Sequence, residues 1–139
     1  MAKAVVKRDY KVSADELWAV VGDFGNTAWV QGASDTEIEG SGVGMVRVFK
    51  MGDDPGIREK LETIDHASRT LTYSIGDNLP LPVKNYMSKM VVTAAGDGCQ
   101  LEWSCTCDPD GVSEEEAAAS VEGMYGAMTG WIADLVEKA

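Results

Sequence analysis

The sequence predicts an α+β fold in which a curved antiparallel sheet of seven strands surrounds a long C-terminal helix, with two short helices after strand 1. One observation is a central region of short segments rich in Val, Ile, Thr and Tyr, separated by turn residues. A second is an amphipathic stretch over residues 113–139 that is long enough to cross a domain. A third is the length of 139 residues, which predicts that residues 1–139 form a single domain with its own core.

The N-terminal part predicts one strand followed by two helices. Residues 4–12 alternate loosely between apolar and charged side chains, as expected of a first strand. Ser13 and Glu16 have the spacing of a capping box, which predicts a helix that begins there and runs to the next Gly-Asn pair. Residues 27–33 have room for only a short second helix, which carries Trp29.

The central region predicts six further strands. The breaks between them are short and rich in Gly, Asp, Ser and Pro, which favours antiparallel neighbours joined by turns over parallel strands joined by helices. The predicted strands cover residues 36–39, 45–51, 57–64, 70–75, 85–94 and 100–107.

The last stretch predicts a long helix against which the sheet packs. Ser113 is followed by three glutamates, which are favourable near the positive end of a helix. Apolar residues then recur at helical spacing, at Ala118, Val121, Tyr125, Met128, Ile132 and Leu135. Three glycines inside the stretch suggest that a strand or a ligand approaches its backbone closely; they are Gly123, Gly126 and Gly130. Because two short helices cannot cover one face of seven strands, the long helix is expected on the concave side, with a cavity wherever the space is incompletely filled.

Composition excludes several classes of function. The net charge of −11, from 12 basic and 23 acidic residues, repels phosphate backbones and argues against nucleic-acid binding. No apolar run reaches the roughly 18 residues of a membrane span, and the N-terminus lacks the apolar core of a signal peptide, so we expect a cytoplasmic protein without membrane insertion. The three cysteines and the lone His66 do not form a metal-ligand pattern, and no cofactor is expected.

Several motifs resemble, in kind and in order, those of one superfamily. They are Ser13-Ala14-Asp15-Glu16-Leu17-Trp18, Trp29, Gly42-x-Gly44-x-x-Arg47, Glu59-x-Leu61-x-x-x-Asp65, Arg69-x-Leu71-x-Tyr73, Trp103 and the final helix. Over essentially the whole chain they resemble the START-like, polyketide cyclase and lipid transport superfamily (SRPBCC), which shares the helix-grip fold of the birch pollen allergen group. The resemblance implies a ligand-binding domain with a cavity between the sheet and the last helix.

A narrower resemblance concerns the strand motif Lys84-Asn85-Tyr86-x-Ser88, which is similar to a pocket strand of the plant abscisic-acid receptors and their bacterial relatives. It implies inward-facing roles for Glu59, Glu102, Tyr86, Ser88, Met124 and Met128. Residues 52–55 and 81–83 depart from the receptors' gate and latch loops, and Met128 replaces their pocket asparagine. The resemblance therefore implies a pocket of related geometry without the hormone or the phosphatase-docking switch.

Strand alternation contributes its own candidates. Glu59 lies between two aliphatic residues on one strand face, so a buried Glu59 needs a hydrogen-bonding partner, a water or a ligand. The alternative, an edge or twisted strand that exposes Glu59, stays open. The predicted ligand-binding residues are Trp29, Arg47, Glu59, Leu61, Tyr73, Ile75, Tyr86, Ser88, Met90, Glu102, Met124 and Met128.

Strand alternation alone does not decide which way two parts of the sheet face, namely residues 100–107 and Arg47. In residues 100–107, hydrophobicity alone turns Leu101, Trp103, Cys105 and Cys107 inward, whereas the resemblance turns Glu102, Ser104 and Thr106 inward. We adopt the second interpretation, which places Trp103, Cys105 and Cys107 on the outer face and suggests a homodimer. We also expect Arg47 inward, as a counter-charge to Glu59, to Glu102 or to a ligand carboxylate, with a solvated strand arginine as the alternative.

The predicted function is binding of a small hydrophobic or aromatic molecule, such as a lipid, an isoprenoid or a polyketide-like metabolite, in the cavity. The alternative is a cyclase or dehydratase type of enzyme that uses Glu59 or Glu102 as a general base together with Tyr86. A third possibility is a protein with a filled core and no ligand. A carboxyl group within hydrogen-bond reach of a tyrosine deep in a closed pocket would favour chemistry, and a wide apolar tunnel would favour carriage of a ligand.

Overall fold

The computed structural model of the protein describes residues 1–31, 35–50, 56–76, 79 and 81–137. It contains nine regular elements in these residues. The strands are β1 (Ala2–Tyr10), β2 (Asp35–Glu39), β3 (Val46–Lys50), β4 (Ile57–Asp65), β5 (Thr70–Ile75), β6 (Val83–Ala95) and β7 (Gly98–Pro109), and the helices are α1 (Ala14–Val21) and α2 (Glu114–Val136).

The seven strands form one antiparallel sheet in the order β1-β7-β6-β5-β4-β3-β2. Strands β2 to β7 are a meander in which each strand pairs with the next along the chain, and β1 closes the order beside β7. The helix α2 packs on β1 and β7, and α1 packs on β6 and β7. The predicted fold class, a curved antiparallel sheet around a long C-terminal helix, is confirmed.

Both helices begin at the predicted serine caps. The hydroxyl of Ser13 accepts a hydrogen bond from the Glu16 amide at 3.1 Å, and that of Ser113 accepts one from the Glu116 amide at 3.1 Å. The first helix ends at Val21, earlier than predicted, where the Gly22 amide donates to the Trp18 carbonyl. Neither helix is long and apolar enough to cross a membrane, judged over the residues that the structure describes.

The second short helix predicted for residues 27–33 is not present in the described part, residues 27–31. Here the Asn26 side chain accepts a hydrogen bond from the Ala28 amide at 3.1 Å, and the Val30 amide donates to the Thr27 carbonyl at 3.1 Å. Local bonds of this kind offer the backbone a turn in place of a helix. Residues 32 and 33 of the prediction lie outside the described residues. Trp29 is nevertheless buried, with 3% of its surface exposed.

The buried stripe of α2 contains Val121, Tyr125, Met128 and Ile132, as predicted, whereas Leu135 is largely exposed near the end of the helix. The interpretation of the three helix glycines was wrong. A side chain added at any of them would meet no described atom within 4 Å beyond the helix backbone around it. These glycines, Gly123, Gly126 and Gly130, therefore do not mark a close approach of any described strand.

The orientation chosen for β7 was also wrong, because the simple hydrophobic pattern prevails. Leu101, Trp103, Cys105 and Cys107 are buried. Glu102 lies on the outer face, where it is directly opposite Lys7 of β1 and forms an ion pair at 3.6 Å. Burying a large indole stabilises the fold far more than burying Glu102, whose charge would need a partner. The apolar strip on which the expected homodimer rested is thus not on the surface.

Candidate ligand-binding site

A largely enclosed cavity of about 210 Å³ lies between the sheet and α2. Strands β3, β4 and β5 supply one wall, the segment after α1 supplies Trp29, and α2 supplies the opposite wall. The lining residues are Trp29, Val30, Phe49, Ile57, Glu59, Ile75, Leu79, Met124, Met128 and Trp131. Apart from Glu59, the described lining is apolar or aromatic, so the cavity favours an apolar occupant.

Glu59 is held in this wall by a buried ion pair with Arg47. The two residues are directly opposite each other on β4 and β3, which brings Arg47 Nε to 2.7 Å from Glu59 Oε1. Their side chains are only 2% and 6% exposed, and Arg47 Nη1 also donates to the Phe24 carbonyl at 3.3 Å. The predicted inward orientation of Arg47 as a counter-charge to Glu59 is confirmed.

Aromatic rings enclose the guanidinium group. Its central carbon lies 3.9 Å from the ring centre of Phe24 and between 5.4 and 5.7 Å from those of Phe49, Tyr73 and Trp29. Arg47 Nη2 is buried without a hydrogen-bond partner among the described residues, and the negative faces of these rings take the place of one. The Arg47 guanidinium, which lies behind the cavity wall, thus balances the charge of Glu59.

A network of hydroxyl groups fills the interior beside the cavity. Ser88 Oγ lies 2.9 Å from the Tyr125 hydroxyl and accepts a hydrogen bond from Trp103 Nε1, also at 2.9 Å. Trp103 Nε1 is 3.1 Å from the Tyr73 hydroxyl, and the Tyr86 hydroxyl is hydrogen-bonded to that of Tyr125. The rings of Trp103 and Tyr125 stack with centres 4.7 Å apart. These groups therefore use their hydrogen-bonding capacity on one another.

Burial sets the protonation state of this network. Desolvation raises the pKa of Tyr73, of Tyr86 and of Tyr125 well above the ordinary phenol value. All three phenols are therefore neutral at physiological pH. They can donate and accept hydrogen bonds, but they do not supply a phenolate base.

The predicted site residues fall into three groups. Trp29, Glu59, Ile75, Met124 and Met128 line the cavity. Six others are buried elsewhere in the interior: Arg47 lies behind the wall, Tyr73, Tyr86 and Ser88 belong to the hydroxyl network, and Leu61 and Met90 are core residues. Glu102 is on the outer face, so its predicted inward position, and with it a role as general base in the cavity, is wrong.

Sequence reasoning missed Val30, Phe49, Ile57, Leu79 and Trp131 as lining residues. Two of these were within reach of pattern. Ile57 precedes Glu59 by two positions on the same strand face, and Trp131 follows Met128 by three positions on the same helix side. Phe49 required the register of β3, in which it lies opposite Ile57. Residues 52–55, whose departure from a gate loop was noted, lie outside the described residues.

An antiparallel sheet that packs around a C-terminal helix over an internal cavity defines a fold class whose members differ in function. The sequence profile described as polyketide cyclase / dehydrase and lipid transport matches residues 1–137, and the chain belongs to this family. None of the curated proteins compared with the chain matches it.

Solved structures agree with this assignment. The protein XoxI from Bacillus cereus is 29% identical, with a TM-score of 0.84 and coverage of 98% of this chain and 96% of that one. Norcoclaurine synthase from Thalictrum flavum, in complex with dopamine and hydroxybenzaldehyde, is 26% identical, with a TM-score of 0.71 and coverage of 99% and 88%. Ara h 8.0201 is 21% identical, with a TM-score of 0.77 and coverage of 99% and 98%, a likeness of fold.

Proposed function

We propose that the protein binds a small, mostly apolar molecule with a single ring in the cavity beneath α2. The observation that carries the proposal is the enclosed apolar space of about 210 Å³ between sheet and helix. An apolar cavity of roughly 150 Å³ accommodates benzene, whereas sites for drug-sized ligands begin at about 300 Å³. The cavity therefore suits one ring with a short substituent, and only a part of a lipid, isoprenoid or multi-ring polyketide.

The lining supports an adaptable apolar ligand. Met124 and Met128 have flexible, polarizable side chains that adjust to irregular shapes, and Trp29 and Trp131 offer flat faces for stacking. The ligands named for norcoclaurine synthase, dopamine and hydroxybenzaldehyde, are single-ring aromatic molecules of this size.

The hydrogen bonds of Glu59 and Tyr86 favour ligand binding over general-base catalysis. The carboxylate of Glu59 accepts a hydrogen bond from Arg47 Nε at 2.7 Å, so one of its two oxygens is already engaged by the protein. The Tyr86 hydroxyl is hydrogen-bonded to Tyr125 and not to Glu59. The pairing of a cavity carboxyl group with a tyrosine, on which the enzymatic alternative depended, is absent from the described residues.

The proposal can be tested with a substitution that fills the cavity. In Met128→Trp the larger ring would occupy the space now open to a ligand, while Met87→Trp makes the same change at a methionine that is 40% exposed on the sheet. Isothermal titration with 2-phenylethanol, a neutral single-ring probe, is expected to show binding to the unmodified protein and to Met87→Trp. Met128→Trp is expected to lose binding at least tenfold while remaining folded by circular dichroism.

Native mass spectrometry of freshly purified protein complements the titration, because a co-purifying ligand should be absent from Met128→Trp only. Equal affinity of both tryptophan variants for the probe would show that the ligand lies elsewhere. Failure of the unmodified protein to bind 2-phenylethanol or any co-purifying molecule would refute the proposed function.

A further inference from the structure

A second, open depression adjoins the cavity at the protein surface. It has a volume of about 410 Å³ and is lined by Ala28, Trp29, Gln31, Trp131, Asp134 and Leu135. Trp29 and Trp131 belong to the lining of both spaces. The two tryptophans therefore stand between an enclosed apolar interior and a solvent-accessible outer space.

The two spaces differ in chemistry. The outer depression contains the carboxylate of Asp134 and the amide of Gln31, whose Nε2 donates to Asp134 Oδ2 at 3.1 Å. An ionised carboxylate has about four acceptor sites, so this hydrogen bond leaves room for another donor. The described lining of the depression includes no basic side chain to neutralise Asp134.

The surrounding charge acts in the same direction as Asp134. With a net charge of −11, the protein as a whole attracts cations and repels anions. The indole ring of Trp131, which is only partly buried, adds to this preference, because tryptophan faces attract cations more strongly than those of other aromatic residues.

We propose, building on the function proposed above, that the outer depression is a second subsite for the ammonium group of a small aromatic amine. The ring of the ligand occupies the cavity, a short aliphatic linker passes Trp29 and Trp131, and the ammonium group donates to the Asp134 carboxylate. The chemical class is an arylalkylamine with a linker of a few atoms.

Three probes with the same ring separate the charge of the ligand from its shape. They are 2-phenylethylamine (cationic), 2-phenylethanol (neutral) and 3-phenylpropanoate (anionic), each titrated by calorimetry at neutral pH. We expect the amine to bind about 3–10 times more tightly than the alcohol, as one exposed ion pair and one cation–π contact would give. The anion is expected to bind most weakly.

The charge of Asp134 is then removed without removing its hydrogen-bond acceptor. Asp134→Asn keeps an oxygen for Gln31 Nε2. It is expected to lower the preference for the amine to the part that the cation–π contact supplies, while changing alcohol binding by less than twofold. Glu122→Gln removes one negative charge from an exposed position of α2 that lines neither space, and it serves as the matched control. It is expected to leave the preference intact.

The outcomes distinguish the two proposals. If the alcohol binds but the amine binds no more tightly, or if Asp134→Asn leaves the preference unchanged, the ammonium subsite is refuted and the cavity function stands. If none of the three probes binds, both proposals are overturned. A preference that falls with added salt in the unmodified protein and is smaller and less salt-dependent in Asp134→Asn supports the subsite.

Discussion

At the scale of single residues, the ion pair between Arg47 and Glu59 dominates the candidate site. Both side chains are almost fully buried, so each depends on the other for charge compensation. Breaking such a pair by removing one partner leaves an uncompensated buried charge, which costs about 3–5 kcal/mol. We therefore expect Glu59→Leu to lower the free energy of unfolding in urea by this amount.

Two further variants make the measurement specific. Arg47→Met combined with Glu59→Leu replaces the pair by apolar groups of similar size and should recover most of the loss. Glu39 of β2 forms an ion pair with Arg58 of β4 across β3, but both side chains are about half exposed, at 49% and 47%. Removing that charge in Glu39→Gln should leave the free energy of unfolding nearly unchanged, because solvent screens an exposed pair. A loss in Glu59→Leu as small as that in Glu39→Gln would contradict the burial argument.

The same scale shows what sequence can and cannot give. The position of Glu59 between aliphatic neighbours left a buried and an exposed side chain both open, and the structure shows it buried with Arg47 as its partner. The prediction that Glu102 faces inward was wrong, because it followed the family resemblance and not the hydrophobic alternation of β7. The stacking of Trp103 on Tyr125 could not be predicted, since periodicity places both rings inward without showing that they fill the space beside Tyr86.

At the scale of elements, the α2 glycines give the clearest prediction. Gly123, Gly126 and Gly130 have open space where a side chain would stand, and glycine in a helix costs up to about 1 kcal/mol relative to alanine. Each Gly→Ala substitution should therefore raise the free energy of unfolding by several tenths to about 1 kcal/mol. Urea denaturation of the three single variants is the measurement.

Gly98 of β7 is the matched control, because a side chain there would clash with the Tyr10 carbonyl oxygen, a backbone atom that cannot easily move. Gly98→Ala should destabilise the protein while the helix variants stabilise it. Destabilisation by all three helix substitutions would mean that these glycines are required by a contact that the structure does not contain.

Element boundaries were predictable wherever local chemistry decides them. The serine caps fix both helix starts, and β5 covers the predicted residues 70–75. Strand β1 runs from Ala2 to Tyr10, two residues earlier than predicted, because Ala2 pairs with Cys107 of a strand that is distant in sequence. The turn over residues 27–31 depends on a side-chain hydrogen bond of Asn26, which competes with helix formation. The periodicity of apolar residues gives no sign of such a bond.

At the scale of the whole molecule, the antiparallel pairing of β2 to β7 and the packing of the final helix on the sheet followed from segment spacing and length, whereas the pairing of β1 with β7 was not predicted. The size of the cavity did not follow from spacing and length either, because it is the space left after Trp103, Tyr125 and the other large side chains have packed. A volume of about 210 Å³ is a small difference between the space enclosed by the sheet and the volume of the side chains that fill it.

Alkaline pH is predicted to unfold the whole molecule in one step. All four tyrosines, Tyr10, Tyr73, Tyr86 and Tyr125, are buried, and desolvation raises the pKa of each above the ordinary value of about 10. Burial also raises the pKa of the Cys105 thiol to about 12. A group with a raised folded-state pKa stabilises the fold fully below its unfolded pKa, and this contribution is lost as pH rises toward the folded value.

The expected loss is large, since each such group lowers the free energy of unfolding by up to about 1.4 kcal/mol per pH unit in that window. Four phenols together contribute roughly 5 kcal/mol per pH unit above about pH 10, which exhausts a typical stability of 5–15 kcal/mol within a few units. Ultraviolet absorbance of tyrosinate should therefore rise in one steep step that coincides with the loss of circular dichroism. Added salt should move this step little, because it screens surface repulsion and not the burial of phenols. Tyrosines that ionise while the circular dichroism of the folded state persists would contradict the buried network of hydroxyl groups.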